Sequence, residues 1–189
     1  MPQTRSFHSS QTGWRLSLAL AFGLLIAFPR GTLFSACFTN SMMQGQDPTV
    51  VRKDGVFHLV QSDGRNIRLR RSGTLGGLVP ASNGIIFTPS YPEVWAPELH
   101  FITNRWYLYY TANTNADSNG RARRGFVAES TGTNPTGPYV SKGIIFHDFW
   151  NIDGNAFTWN DQWYYTFSGE PVQGAQCIYI ARMSNPYTL

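Results

Sequence analysis

The fold is decided by a stretch in the middle of the chain, residues 96–112, which has the sequence APELHFITNRWYLYYTA. An apolar strand, a short polar turn and a strand rich in aromatic residues follow one another here. In the second strand Trp106, Leu108 and Tyr110 alternate with residues that are also apolar. Both faces of that strand are therefore apolar, as expected for a strand that packs between two sheets. The stretch predicts a β-hairpin inside an all-β protein.

Two related units flank this hairpin. One begins at Asp47 with DPTVVRKDGVFHLVQSDGRNIRLRRS, and the other begins at Asp153 with DGNAFTWNDQWYYTFSG. The predicted turns are Asp54-Gly55, Asn104-Arg105 and Asn160-Asp161. They recur at about 50 and then 56 residues, close to the period of propeller blades, and a third strand follows each hairpin. The pattern favours a β-propeller, with a β-sandwich as the alternative because sandwiches also have evenly spaced hairpins.

Composition and charge limit the classes of function. The chain has 189 residues, enough for one domain, with 14% charged and 15% aromatic residues. Its net charge of +4 is concentrated at the N-terminus, because the first 30 residues hold three arginines and no acid. The remaining 12 Lys and Arg against 11 Asp and Glu leave only +1, too little for a nucleic-acid footprint. The arginine clusters at 65–71 and 121–124 are predicted to be solvated strand edges and loops.

The N-terminus predicts a secretory signal peptide over residues 1–36. Arg5 and Arg15 precede an apolar run of 13 residues, Leu16–Phe28, which Pro29 interrupts. Such a run is short for a membrane span, which takes about 20 residues. An uncleaved membrane anchor is the alternative. The mature domain is then 37–189, secreted, with no membrane association after cleavage, and Cys37 and Cys177 either pair or stay free.

The openings of the three units carry a family resemblance. Gln46-Asp47-Pro48 opens the first, Val94-Trp95-Ala96-Pro97-Glu98-Leu99 the second, and Asn151-Ile152-Asp153-Gly154-Asn155 the third. In this order and context the motifs resemble those of glycoside hydrolase family 43, above all its α-L-arabinofuranosidase and exo-arabinanase branch. The resemblance implies a five-bladed β-propeller, here an incomplete one of about three blades.

The resemblance also implies roles for three residues. Asp47 matches the general base, which takes a proton from the water that attacks the sugar. Asp153 matches the carboxylate that orients the general acid and raises its pKa, since a nearby like charge has that effect. Trp95 matches a flat substrate-binding wall. Taken singly, each has a structural explanation: Asp47 and Asp153 as turn residues, and Trp95 as core.

The general acid of the family is a Glu in the fourth blade, and no Glu of this chain has that context. Glu170 is the nearest superficial candidate and is rejected because it lies in a blade-three loop. The expectation is a chain truncated after its third blade and inactive as it stands, since general acid catalysis contributes about 10²–10⁴-fold. No cofactor is expected, and no His, Cys and Asp spacing suggests a metal site.

The predicted function is inverting hydrolysis of α-L-arabinofuranosyl linkages in arabinan or arabinoxylan, so that the partner is an arabinose- or xylose-containing polysaccharide or oligosaccharide. Three alternatives stay open: a β-xylosidase or endo-arabinanase of the same family, a non-catalytic carbohydrate-binding fragment, and a retaining fructan-type hydrolase. The last usually has Asn before its Asp-Pro, where this chain has Gln46.

Overall fold

The computed structural model describes residues 42–189. The predicted signal peptide and Cys37 lie outside these residues, so the cleavage site and the Cys37–Cys177 disulfide stay predictions. Cys177 itself is exposed. No helix in the described part of the chain has the length and apolarity needed to cross a membrane.

Three antiparallel sheets follow one another along the chain, each a simple meander. The strands of blade one are β1 (Thr49–Lys53), β2 (Val56–Ser62), β3 (Ile67–Ser72) and β4 (Gly84–Phe87). Those of blade two are β5 (Trp95–Ile102), β6 (Arg105–Asn113), β7 (Arg123–Ser130) and β8 (Tyr139–Ile144). Those of blade three are β9 (Trp150–Trp159), β10 (Gln162–Glu170) and β11 (Cys177–Arg182). Two 3₁₀ turns, Gly76–Leu78 and Ala116–Ser118, complete the described elements.

The all-β, three-bladed prediction is confirmed. The fourth strands β4 and β8 were not predicted, because they are short and carry little apolar alternation. Strand β5 contacts both β1 and β9, so the first strands of the three blades lie side by side at the centre, as in a propeller.

Each β1–β2-type hairpin closes through two residues with positive φ, the geometry of a type I′ turn. The turn residues are Asp54 and Gly55, Thr103 and Asn104, and Asn160 and Asp161. The predicted second turn, Asn104-Arg105, is therefore wrong by one residue. A β-branched residue is disfavoured at positive φ, so Thr103 was assigned to the strand, yet it has a φ of 47°.

The core fills the two spaces between blades. Alternation along β6 sends Trp106, Leu108 and Tyr110 toward blade one, while Tyr107 and Tyr109 face blade three. This confirms the predicted inter-blade role of the β6 aromatic residues.

On β10 the same alternation separates two neighbouring tyrosines. Tyr165 is fully buried against blade two. Tyr164 faces the other side of the sheet, is half-buried, and stacks on Phe157 with ring centroids 5.6 Å apart. That outer face also carries Ile178 and Ile180, which are 73% and 66% exposed.

In the blade-one arginine cluster, Arg65 and Arg71 are exposed as predicted, whereas Arg68 and Arg70 are half-buried. Arg65, in the loop before β3, donates to the carbonyls of Pro89 and Tyr91, and Arg70 on β3 donates to those of Val79 and Ala81. These bonds hold the segments before and after β4 in place.

Candidate active site

The openings of the three blades repeat one backbone geometry. Asp47, Ala96 and Asp153 occupy matching positions and all have positive φ, at 44°, 41° and 55°. In blade two the pairing of β5 with β6 shifts register between Trp95 and Glu98, and in blade three a matching shift lies opposite Thr166 and Ser168. A bulge at such a point re-aims a side chain. Non-glycine residues at positive φ cost of order 1–3 kcal/mol and tend to cluster at functional sites.

Hydrogen bonds between blades hold these openings in place. The Ser62 hydroxyl on β2 donates to the Val94 carbonyl at the start of blade two. One blade further on, the matching residue Thr111 on β6 accepts from the backbone N–H of Asp153 at 3.2 Å. Each second strand therefore fixes the first strand of the next blade.

A buried amide supports the blade-three opening from outside. Asn151 has no exposed surface; its Oδ1 accepts from the Gly125 N–H at 2.7 Å, and its Nδ2 donates to the carbonyls of Phe146 and Phe149. Sequence reasoning missed both Thr111 and Asn151, because a polar residue inside a strand gives no signal until its partners are known.

The first two openings meet around a cavity of about 320 Å³. It is lined by Gly45, Gln46, Asp47, Ser62, Asp63, Gly64, Val94, Trp95 and Ala96. Asp47 and Trp95, two of the predicted site residues, thus share one hollow.

Asp153, the third predicted site residue, is not among those lining residues but lies close to Asp47. Partial burial of its carboxyl, and after that the negative charge of Asp47, raise the pKa of Asp153 above its ordinary value. The residue as a whole is exposed. The structure therefore places Asp47 and Trp95 on one hollow, and Asp153 within electrostatic reach of Asp47.

Trp95 is covered on one side by a fixed cation. The guanidinium carbon of Arg123 lies 3.7 Å from the centroid of the Trp95 ring, within the range of cation–π attraction. Arg123 is paired with Glu93, and its Nη1 donates to the Gly120 carbonyl at 3.2 Å. The indole is 38% exposed and lines the cavity. An indole fixed in this way is a suitable stacking surface for a sugar ring.

Glu98 lies on β5, three residues after Trp95, and is half-buried. Burial raises the pKa of Glu98. His100 lies near it, with Nε2 3.8 Å from the Glu98 carboxyl, and burial lowers the pKa of His100 to about 4. At neutral pH His100 is uncharged, so this contact is not an ion pair.

His58, His100 and Glu170 do not line the hollow. His58 is buried, with Nδ1 3.1 Å from the Val56 carbonyl. The Nε2 atom of His100 has no hydrogen-bond partner within residues 42–189. Glu170 is paired with Arg121 at 2.8 Å, and that hydrogen bond lowers the pKa of Glu170, the opposite of what a general acid needs. In the described residues no group of three or more His, Cys, Asp or Glu could hold a metal ion.

The blade openings of this propeller place the Asp47 carboxylate and the exposed Trp95 side chain on one hollow, with a second carboxylate, Asp153, within electrostatic reach of Asp47. The model of the family described as "Glycosyl hydrolases family 43" matches residues 38–189. The chain belongs to this family, and the resemblance stated from its motifs is confirmed.

Its relatives are arabinose-releasing enzymes by name. The chain is 32% identical over 180 residues to alpha-L-arabinofuranosidase 43 of Humicola insolens, covering 82% of this chain and 37% of that one. It is 31% identical over 169 residues to an extracellular exo-alpha-(1->5)-L-arabinofuranosidase of Streptomyces avermitilis, covering 82% and 35%. The crystal structure of alpha-L-arabinofuranosidase from Lactobacillus brevis superposes with a TM-score of 0.71 at 30% identity, covering 79% of this chain and 53% of that one. The chain thus spans about a third to a half of these proteins.

Proposed function

We propose that this chain is the base-carrying part of an inverting glycoside hydrolase that acts on α-L-arabinofuranosyl linkages of plant cell-wall polysaccharides, arabinan or arabinoxylan. The observation that carries the proposal is the convergence of Asp47 and Asp153, close enough that the charge of one raises the pKa of the other. Hydrolysis with inversion needs a base that activates water and an acid that protonates the leaving oxygen. Asp47 is the base, and it lines the hollow in which that water would stand.

Asp153 orients the general acid and keeps it protonated through its negative charge. Trp95 stacks against the apolar face of the sugar. The acid comes from outside residues 1–189, in the part of the family propeller to which this chain has no matching motif. The printed names of the Humicola and Streptomyces relatives support arabinofuranosyl groups as the substrate.

The activity test uses an extended chain, in which residues 1–189 are followed by the remaining C-terminal length of the Humicola insolens relative. We expect this extended chain to hydrolyse aryl α-L-arabinofuranoside, with the anomer of inverted configuration appearing first by NMR. Residues 1–189 alone should release at least about 10²-fold less product, because the leaving group goes unprotonated. Faster hydrolysis of an aryl β-xyloside would indicate the β-xylosidase alternative. An extended chain that folds but hydrolyses neither substrate would refute the proposal.

The variant Asp47→Ala separates an enzyme from a binding module. In an enzyme this change removes turnover while affinity for arabino-oligosaccharide changes little. In a non-catalytic module there is no turnover to lose, and affinity is the only activity. Measuring both quantities on the same extended chain, with Asp54→Ala in the exposed first hairpin as the control, distinguishes the two.

We also propose that the protein is secreted. Two relatives from Streptomyces species have "extracellular" in their names, and the apolar run near the N-terminus has the length of a signal-peptide core. Sequencing the N-terminus of the protein recovered from culture medium tests this. A mature protein that starts near residue 37 is the expected result, and retention in the cell membrane with residues 1–36 intact would contradict it.

A further inference from the structure

The segment just before Trp95 is fixed by Asn113, the last residue of β6. Asn113 is fully buried. Its backbone N–H donates to the Pro92 carbonyl at 3.0 Å, and its Nδ2 donates to Oε1 of Glu93 at 3.1 Å. Glu93 has a φ of 54°, a left-handed conformation that a residue with a side chain adopts at a cost. Position 93 therefore combines a strained backbone with a carboxylate that points in one fixed direction.

The second oxygen of that carboxylate pairs with Arg123, the first residue of β7. The Arg123 side chain is only 15% exposed, and Glu93 is its only acidic partner within residues 42–189. Its buried Nε has no hydrogen-bond partner in that range, so the guanidinium is held by Nη2 on Glu93 and Nη1 on the Gly120 carbonyl. Glu93 is the charged acceptor of the two, and hydrogen bonds to ionised acceptors are roughly twice as strong as neutral ones.

Glu93 thus has the larger share in placing the guanidinium, and the place is the Trp95 ring. The guanidinium carbon of Arg123 lies 3.7 Å from the ring centroid. Trp95 lines the hollow, whereas Glu93 and Arg123 are not among the residues that line it. A cation fixed on one face of the indole leaves the opposite face free to stack against a sugar.

We propose that Glu93 is a positioning residue, whose carboxylate bridges Asn113 and Arg123 and so holds the guanidinium on one face of Trp95. This arrangement fixes both the orientation of the indole and the face that meets the sugar. Glu93 acts through Arg123 and contacts no reacting atom. The proposal rests on the proposed function for the role of Trp95, but its first test uses neither sugar nor turnover.

The first experiment observes the Arg123 Nε–H and the Trp95 indole N–H by NMR in residues 1–189, with Arg123→Ala and Trp95→Phe for assignment. Protons above an aromatic ring are shifted upfield by the ring current, so the Arg123 signal should lie upfield in the unsubstituted chain. Glu93→Gln keeps an acceptor for Asn113 but removes the charge that holds Arg123. It should return the Arg123 signal toward its usual position and lower the indole order parameter from about 0.85 toward about 0.6.

Glu129→Gln is the matched control, because Glu129 also bridges a neutral donor and a cation. The Tyr107 hydroxyl and the Lys142 ammonium each lie 2.7 Å from its carboxyl oxygens, near the other end of β7. This variant should leave both signals unchanged. The proposal is overturned if folded Glu93→Gln keeps the Arg123 and Trp95 signals of the unsubstituted chain, or if Glu129→Gln moves them equally.

A second experiment measures steady-state kinetics of the extended chain on aryl α-L-arabinofuranoside. Glu93→Gln should raise KM by about two- to tenfold and lower kcat by a smaller factor, because it loosens a binding surface. In the Arg123→Ala background the same substitution should raise KM no further, since the group through which Glu93 acts is gone. A KM effect that persists without Arg123 would contradict the proposed route. An extended chain that hydrolyses nothing would refute the proposed function, and the NMR comparison would still decide the role of Glu93.

Discussion

The openings of blade two and blade three share one backbone geometry but carry different side chains on it. Both have a bulge and a non-glycine residue at positive φ. At the centre of the propeller, β5 of blade two contacts β9 of blade three on one side and β1 on the other. Blade two places Ala96 at this point, whereas blade three places Asp153. The positive-φ backbone is therefore a feature of the fold, because it forms with either residue. Of these two openings, only that of blade three carries a carboxylate at this position. The first prediction below exchanges this residue between the two openings, and the others test the contacts around them and the turns of the same blades.

The largest effect is expected from Asp153→Ala, which gives blade three the side chain of blade two. Turnover of the extended chain on aryl arabinofuranoside should fall by about 10²–10⁴-fold, because the acid is no longer held protonated and in place. The melting temperature should not fall, since Ala96 shows that alanine tolerates this backbone. The reciprocal change Ala96→Asp is the control for charge alone: it should not rescue Asp153→Ala, and rescue would show that any carboxylate at the hollow suffices.

Gly154→Ala tests the close contact behind the blade-three opening. The added methyl group would stand 1.6 Å from the Tyr165 hydroxyl, so the tyrosine or the strand must move. Overpacking of this kind costs typically about 1–3 kcal/mol of unfolding free energy, measured by urea denaturation. Gly132→Ala is the matched control, because a Cβ there meets nothing within 4 Å, and it should be nearly neutral. Equal effects of the two changes would show that the contact at Gly154 relaxes at no cost.

Arg123→Ala should loosen Trp95 without removing it. The guanidinium covers one face of the indole, and without it the ring loses a contact worth about 0.5–2 kcal/mol. Affinity for arabinotriose, measured by calorimetry on the extended chain, should fall by up to about tenfold while kcat changes little. Arg121→Ala, from the same loop, lies over Trp150 rather than Trp95 and should leave the affinity unchanged. Loss of kcat with unchanged affinity would contradict this role.

The pH dependence of stability should show the titration of Asp153. Its pKa in the folded protein is raised, so the folded state holds the proton up to a higher pH than the unfolded chain does. Stability therefore falls as pH rises from the ordinary Asp value through the raised one, by no more than about 1 kcal/mol because the residue is exposed. Asp153→Asn should remove this fall between those pH values in urea titrations of residues 1–189. A fall that persists in the variant would have to come from Glu98, whose pKa is also raised.

The smallest effect concerns the hairpins. Thr103 has a φ of 47°, where blade three has Asn160 at 48°. Because Asn tolerates this region and a β-branched residue does not, Thr103→Asn should stabilise residues 1–189 by about 0.5–1 kcal/mol in urea denaturation. The reverse change, Asn160→Thr, should destabilise by a similar amount. Changes of the same sign at both positions would show that contacts outside the turn decide.

Much of the architecture was available from the sequence. The Asp-Gly and Asn-Asp turns, the alternation along β6 and the spacing of the hairpins predicted three blades, and the motifs at Asp47, Trp95 and Asp153 predicted the family. The exact position of the second turn was missed, because Thr103 occupies a conformation that its residue type disfavours.

What only the tertiary structure decided is the support around the carboxylates. Thr111, Asn151, Arg123 and Tyr165 each contact a residue on another strand, and the sequence around them does not show these contacts. Strand type, turn position and motif identity depend on neighbours within a few residues, so the sequence alone determined them. Hydrogen bonds between blades, the raised pKa of Asp153 and the contact at Gly154 depend on residues tens of positions apart, and these arise only when the blades pack together.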